Sequence, residues 1–183
     1  MTADPIKSPH ELVNRPMKVY LAGSIQASAD GGVEWRRWLT PILMKMGFEV
    51  LDPTIYESKE LGDPPSVKGM INDTIEKEDW ERFDHLVDLL QDRDVRLVHE
   101  ADFVLAVINP NKYSAGTTSE VWEAVRHANI PVYAFSEEPK TKWSYWELRT
   151  VRRHGKVFHD WTDILRFLHK TYGTPEPEIG EKK

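Results

Sequence analysis

The sequence contains no cysteine. Such a chain cannot form disulfides, bind a metal ion through thiolates or use a thiol as a nucleophile. It also has no excess of positive charge, since 24 Lys and Arg stand against 30 Asp and Glu and give a formal net charge of −6. Proteins that wrap a nucleic-acid polymer need a concentrated basic surface, so this balance argues against such a partner.

Long apolar stretches are also missing. Residues 1–16 are polar and lack the apolar segment of a signal peptide, and no later apolar run reaches the length that spans a membrane. We therefore expect a soluble cytoplasmic protein. A chain of 183 residues suits one domain. We place that domain at 16–172, between a loose leader at 1–15 and a flexible tail at 173–183.

Several common sequence motifs are absent. The first predicted strand is not followed by G-x-G-x-x-G, and neither a P-loop nor a G-x-S-x-G motif occurs. The seven histidines show no spacing typical of metal ligands. We therefore expect polar chemistry that uses neither a cofactor nor a metal ion.

Apolar runs alternate with segments of helical periodicity. The strands are predicted at 17–22, 48–51, 103–108, 130–135 and 156–158, and the helices at 33–46, 67–90, 95–100, 119–128, 143–153 and 161–172. This alternation predicts an α/β fold: a single domain with a doubly wound five-stranded parallel sheet of flavodoxin-like order 2-1-3-4-5 and helices on both faces. In that order the ends of the first and third strands flank one crevice, where such sheets bind small molecules.

The segment 101–128 predicts a strand, a polar loop and a helix beside this crevice. Glu120 is placed in the first turn of the helix, where its carboxylate could take part in chemistry. The same residues allow a second interpretation, because Thr117 and Glu120 fit a T-x-x-E capping box. This segment alone leaves both interpretations open.

Other polar residues are predicted at strand ends and helix starts around the crevice. With Glu120 they are Tyr20, Gly23, Ser24, Asp94, Ser114 and Gly116. A carboxylate in such a place can attack a sugar carbon while a second acid handles the proton of a leaving base, as in glycosidases. Asp94 is the natural second acid, although it could equally cap the helix predicted at 95–100.

Residues 54–93 form a longer connection than is usual in this kind of fold. Their broken apolar stripe is typical of a helix face packed on the domain. A lid over the crevice is the alternative.

Three pieces of the chain together carry a resemblance to a known family. They are Val19–Ile25, Asp94 eight residues before Asp102, and Ser114–Glu120 leading to Glu123 and Ala124. Residues 17–135 thereby resemble the nucleoside 2-deoxyribosyltransferases and their relatives, the 2'-deoxynucleoside 5'-monophosphate N-glycosidases. The resemblance implies a glycosyltransferase that acts on deoxynucleosides and free nucleobases.

The resemblance also implies roles for individual residues. Glu120 would attack the anomeric carbon and form a covalent deoxyribosyl-enzyme, and Tyr20 would hold its carboxylate by a hydrogen bond. Asp94 would protonate the departing base and deprotonate the incoming one. We assign substrate binding to the remaining site residues: Gly23, Ser24, Ser114, Gly116 and Ser144.

Two positions bear on the choice between the two activities. Transferases of the family usually have an aspartate six residues before the nucleophile, where this chain has Ser114, as the glycosidases do. Ser144 matches a serine that a neighbouring subunit lends in those glycosidases, whereas Gln26 stands where they place an arginine. The alternative function is therefore hydrolysis of 2'-deoxynucleoside 5'-monophosphates, and a third is nucleotide binding without turnover. The resemblance further implies a homo-oligomer with shared active sites, with 143–146 as the candidate contact.

Overall fold

The computed structural model describes residues 15–25 and 30–178. Most of the predicted leader, the end of the predicted tail at 179–183, and Gln26 lie outside these ranges. Within the described part of the tail, residues 174–178 belong to no helix or strand.

The described chain contains five strands and seven α-helices, with three of the helices between the second and third strands. The strands are β1 (Lys18–Gly23), β2 (Glu49–Leu51), β3 (Phe103–Val107), β4 (Val132–Phe135) and β5 (Gly155–Phe158). The helices are α1 (Val33–Lys45), α2 (Pro53–Glu60), α3 (Pro64–Glu76), α4 (Trp80–Glu100), α5 (Ala115–Arg126), α6 (Tyr145–His154) and α7 (Trp161–Tyr172). The strands are parallel and lie in the order β2-β1-β3-β4-β5. The predicted α/β fold and strand order are confirmed.

Both faces of the sheet are buried, which is why its central strands read as continuous apolar runs. On one face Tyr20, Val104 and Val132 pack against α4, α5 and α6. On the other face Leu21 and Phe103 lie with the buried side chains of α1 and α7. The doubly wound arrangement thus follows from strands that carry apolar residues at successive positions.

The connection between β2 and β3 differs from its prediction. Asp52 accepts a hydrogen bond from the backbone N–H of Thr54 and begins α2, with Pro53 in the first helical position. No helix is predicted from the sequence between the strand at 48–51 and residue 67. Proline at the first position of a helix loses no hydrogen bond, so this Asp-Pro pair starts a helix.

Helix α4 corrects the prediction for Asp94. Asp79 accepts a hydrogen bond from the N–H of Arg82, and the helix then runs unbroken for 21 residues. Asp94 lies inside it, so the prediction of a separate helix at 95–100 with Asp94 as its cap is wrong. Between Leu90 and Leu97, Gln91, Arg93 and Arg96 are good helix formers, and the apolar stripe continues in register through Leu97, so Asp94 does not end the helix.

Helix α5 begins earlier than predicted. Ser114 is its N-cap and accepts a hydrogen bond from the N–H of Thr117 at 3.4 Å. Thr117 is therefore the third residue of the helix, and its predicted capping box with Glu120 is wrong. Glu120 lies in the second turn, one turn further from the helix start than predicted, and it faces β1.

Candidate active site

A cavity of about 420 Å³ lies at the carboxyl ends of β1 and β3. Helices α3 and α4 and the start of α5 supply most of its wall, and α2 contributes Glu57. Five of the predicted site residues line it together: Gly23, Asp94, Ser114, Gly116 and Glu120. The long connection at 54–93 therefore walls the cavity.

A larger hollow of about 990 Å³ lies between α1 and the start of α2. Asp30, Arg37 and Lys59 are among its lining residues, but none of the predicted catalytic residues reaches it. We place the candidate site in the smaller cavity because the convergent acids, and not the volume, determine what chemistry is possible.

Tyr20 and Glu120 form the centre of the candidate site. Tyr20 is completely buried in β1, and its phenol donates a hydrogen bond to Oε1 of Glu120 at 2.9 Å. Although Glu120 as a whole is only half-buried, its Oε2 is shielded from solvent and has no hydrogen-bond partner in the described chain. One carboxylate oxygen is thus held by the protein, and the other is left for a ligand.

The surroundings of Glu120 control its charge. Burial, reinforced by the negative charge of Asp94, raises the pKa of Glu120 to about 7, against the lowering effects of the Tyr20 hydrogen bond and of Arg36 and Arg93. Burial and the charges of Glu120 and Asp94 also raise the pKa of Tyr20, so its phenol remains a hydrogen-bond donor. A carboxyl group that is partly protonated and partly ionised near neutral pH is typical of active sites.

Asp94 is held by a neighbour on its own helix. The buried guanidinium of Arg93 donates through Nε and Nη2 to Oδ1 of Asp94, at 2.9 and 2.8 Å. The same Nη2 lies 3.6 Å from Oε2 of Glu57, which is also buried and lines the cavity. Burial raises the pKa of Glu57, and the positive charge of Arg93 opposes that effect. Arg93 therefore links α2 to the second predicted acid.

Arg93 and Glu57 are among the candidate site residues that the sequence analysis missed. A signal for Arg93 was present, because it falls on the apolar stripe of α4 at helical spacing with Leu90 and Leu97. A charged residue on a buried stripe needs a partner, which makes it a candidate for a site. Glu57 gave no comparable signal, since its helix was not predicted.

A second buried arginine shapes the end of β1. Arg36 of α1 donates through Nη2 to the carbonyl oxygens of Leu21 and Gly23, at 3.1 and 2.9 Å. Gly23 lines the cavity, and a Cβ added there would lie 2.9 Å from the ring of Trp35. Glycine thus lets α1 pack against the turn at the rim of the site.

The start of α5 forms another edge of the cavity. Ser114 and Gly116 both line it, and the hydroxyl of Ser114 lies 2.9 Å from Oγ1 of Thr117. A Cβ added to Gly116 would meet nothing within 4 Å, so protein packing does not require glycine there. The absent side chain leaves room on the cavity side of the first helical turn.

Two predicted binding residues lie apart from the cavity wall. Ser24 is half-buried beside Gly23 but is not among the lining residues. Ser144 is exposed at the start of α6 and does not line the cavity either. Its assignment to a neighbouring subunit's site stays a prediction.

The described parts of the chain contain neither a metal-binding cluster of acids and histidines nor a membrane-spanning helix. No group of three or more His, Asp or Glu side chains there is arranged to hold a metal ion. Within the same ranges, none of the helices is both long enough and apolar enough to cross a membrane.

Comparison with known proteins establishes the fold. A solved structure of a 2-deoxyribosyltransferase from the psychrotolerant bacterium Bacillus psychrosaccharolyticus superposes with a TM-score of 0.58, covering 88% of this chain and 99% of that one. The two sequences are 18% identical. That protein is described as a biocatalyst for the synthesis of antiviral and antitumoral nucleosides. No family model matches this sequence, and no curated protein matches it significantly.

Proposed function

We propose that this chain is a nucleoside 2-deoxyribosyltransferase, which moves a 2-deoxyribosyl group from one nucleobase to another. The main observation behind the proposal is the surroundings of the two carboxylate oxygens of Glu120. One of its oxygens is held by Tyr20, and the other is shielded and unpartnered in the described chain, within a cavity that also contains Asp94. The fold shared with a 2-deoxyribosyltransferase supports the same activity.

In the first half-reaction Oε2 of Glu120 attacks the anomeric carbon of a bound 2'-deoxynucleoside. An ester bond forms between the sugar and Glu120, and the N-glycosidic bond breaks. Its electron pair moves to the base nitrogen, which takes a proton from the carboxyl group of Asp94. The products of this step are a deoxyribosyl-enzyme and a free base.

The second half-reaction reverses these roles. The carboxylate of Asp94 removes a proton from the nitrogen of an incoming base, and that nitrogen attacks the anomeric carbon. The ester bond breaks, and its electron pair returns to Glu120. Because each carboxyl group ends in the state in which it began, neither a redox group nor an added cofactor is needed for the exchange.

Hydrogen bonds from neighbouring residues orient the carboxyl groups of Glu120 and Asp94. Tyr20 donates to one oxygen of Glu120, which fixes the carboxylate and stabilises its ionised form. The double hydrogen bond from Arg93 fixes the orientation of Asp94. Such fixed geometry lowers the entropic cost of reaching a reactive arrangement.

Hydrolysis of deoxynucleoside 5'-monophosphates is the second candidate function. Ser114 at the start of α5 and Lys68 of α3 both line the cavity, so a neutral group and a basic group are present in its wall. A helix N-terminus favours an anion, and a phosphate would meet no acidic side chain at position 114. Water would then replace the acceptor base in the second half-reaction.

Product analysis distinguishes the candidate functions. The protein is incubated with deoxyinosine and free adenine, and deoxyadenosine is measured by chromatography. We expect deoxyadenosine and hypoxanthine in equal amounts. If a 5'-monophosphate is cleaved efficiently while no base exchange occurs, the hydrolase replaces the transferase. If neither substrate reacts but both bind, the chain is a nucleotide-binding module.

A further inference from the structure

Four arginines gather on the surface formed by α5 and α6. Arg126 ends α5, whereas Arg149, Arg152 and Arg153 lie on α6. Arg126, Arg149 and Arg153 line a hollow of about 210 Å³ together with His154. We call the surface of these four arginines the α5–α6 basic groove.

The charges of the groove are not neutralised by the protein. Among the described residues, none of the four guanidinium groups has a carboxylate partner, whereas other arginines, such as Arg15 and Arg93, pair with acids. Burial lowers the pKa of His154, and the charges of Arg153, Arg126 and Arg149 lower it further. Arg126 also lies over the ring of Trp122, 4.9 Å from its centroid. Several positive charges thus lie near one hollow without a described carboxylate at ion-pair distance.

The ends of the two helices explain only part of this cluster. Basic residues are favoured in the last turn of a helix, which accounts for Arg126, Arg152 and Arg153. Arg149 lies in the middle of α6, one turn before Arg153, so that both side chains face the same hollow. The convergence of the two helices on one hollow is the feature that suggests a ligand.

The groove extends beyond the first hollow. A second hollow of about 350 Å³ shares Arg149 and Arg153 with the first and adds Arg152 and Tyr145. The side chain of Tyr145 is 88% exposed. A basic surface of two adjoining hollows, one of which also presents an exposed aromatic ring, suits a chain of phosphates and a planar base.

We propose that the α5–α6 basic groove binds a polyphosphate group, with Arg126, Arg149 and Arg153 as its ligands. Guanidinium groups bind phosphate through paired, charge-assisted hydrogen bonds, and several convergent arginines suit a polyanion. The source of the group is either an inorganic polyphosphate or the polyphosphate of a nucleotide, whose base would lie on Tyr145.

This site is separate from the candidate active site. Helix α5 carries Ser114 as its cap at one end and Arg126 at the other, and its 12 residues span about 17 Å. The proposal therefore does not depend on the transferase activity. The helix connects the two sites, and Thr118 of α5 also donates to Glu147 of α6 at 3.0 Å.

Titration calorimetry with inorganic tripolyphosphate and, separately, with ATP tests the proposal. Both probes are expected to bind saturably, and the double variant Arg149→Gln/Arg153→Gln should weaken binding at least tenfold. The matched control is Arg37→Gln/Arg166→Gln, which removes two exposed arginines from α1 and α7. Circular dichroism checks that each variant is folded, as expected for changes at exposed positions.

The outcomes separate the two sources of the ligand. Equal affinities for the two probes identify the polyphosphate alone as the ligand. A higher affinity for ATP that is lost in Tyr145→Ala identifies a nucleotide. The proposal is overturned if neither probe binds saturably, or if the control variant weakens binding as much as the groove variant does.

Discussion

The phenol oxygen of Tyr20 lies 2.9 Å from Oε1 of Glu120, although the two residues are 100 positions apart in the sequence. The pairing of β1 with β3 and the return of the chain through α5 bring them together. Because the phenol occupies one oxygen, the nucleophilic role that we propose for Glu120 falls to the other oxygen. The following predictions test this arrangement.

Replacing Glu120 by glutamine should abolish base exchange and yet stabilise the fold. The folded protein raises the pKa of Glu120 from 4.5 to about 7, so ionisation of this group costs stability as the pH rises from 4.5 to 7. We expect Glu120→Gln to raise the free energy of unfolding by up to about 3 kcal/mol at pH 8. Urea denaturation at pH 8 and at pH 4 measures this difference, which should vanish at pH 4. A variant less stable than the parent at pH 8 would contradict the burial of an ionisable carboxyl group.

The activity should depend on the ionisation of Glu120. Since only the carboxylate is nucleophilic, kcat/KM should rise with pH through an apparent pKa of about 7. The measurement is the initial rate of exchange at low nucleoside concentration between pH 5 and pH 9. A rate that is constant from pH 5 to pH 8 would exclude this carboxyl group as the nucleophile.

Removing the phenol of Tyr20 should move that profile. The Tyr20 hydrogen bond lowers the pKa of Glu120, so in Tyr20→Phe the rise of kcat/KM should move to higher pH. At pH 7 the value of kcat/KM should fall about tenfold. Tyr133→Phe is the matched control, because the hydroxyl of Tyr133 bonds that of Tyr172 at 2.9 Å on the other face of the sheet. If both variants shift the pH profile equally, the shift results from a general change in the fold and not from the loss of the Tyr20 hydrogen bond.

Arg93 should affect catalysis through its two hydrogen bonds to Asp94. Lysine cannot reproduce two hydrogen bonds to one carboxylate oxygen, so Arg93→Lys should lower kcat about 10-fold to 100-fold. Arg93→Gln should also destabilise the fold by about 3 kcal/mol, because it leaves Glu57 buried without its cation.

A second substitution separates these two effects of Arg93. Glu57→Gln in the Arg93→Gln background should restore much of the stability and little of the activity. Arg96→Gln, at an exposed position on the same helix, is the control and should change neither quantity. Full activity in Arg93→Gln would show that Asp94 needs no positioning.

Position 114 should determine the tolerance for a 5'-phosphate. Aspartate is as good an N-cap as serine, so Ser114→Asp should keep α5 intact while placing a negative charge in the cavity. We expect the ratio of kcat/KM for deoxyadenosine to that for its 5'-monophosphate to rise at least about tenfold. Ser114→Asn, which caps equally well without charge, should leave the ratio near its original value. An unchanged ratio in Ser114→Asp would place the 5' end of the substrate elsewhere.

Much of the fold was predictable because buried parallel strands have a plain sequence pattern. Runs such as Phe103–Val107 are apolar at every position, and the helix predicted at 161–172 is confirmed as α7. The starts of α4 and α5 were misplaced because Asp94 and Thr117 are residue types that also cap helices. Local sequence allowed a cap at each place. In α4 the apolar stripe continues through Asp94, whereas in α5 the true cap is Ser114, three residues before Thr117.

The candidate site was predictable only where its residues lie at strand ends or on one short segment. Tyr20, Asp94 and Glu120 were predicted in such places. In the structure Asp94 and Glu120 line one cavity, and Tyr20 lies buried behind it, hydrogen-bonded to Glu120. Glu57 and Arg93 depend on a contact between α2 and α4 that no sequence spacing encodes. The charge of Glu120 likewise depends on burial, which appears only when the sheet and α5 are assembled.

The most direct test of the central claim is a search for the sugar on Glu120. The protein is mixed with deoxyinosine in the absence of an acceptor base, quenched in acid and digested, and its peptides are examined by mass spectrometry. We predict one 2-deoxyribosyl group esterified to Glu120, which disappears when adenine is added before the quench. Base exchange without any adduct in the parent protein would contradict a covalent intermediate on Glu120. An adduct that persists in Glu120→Gln would show that another residue is the nucleophile.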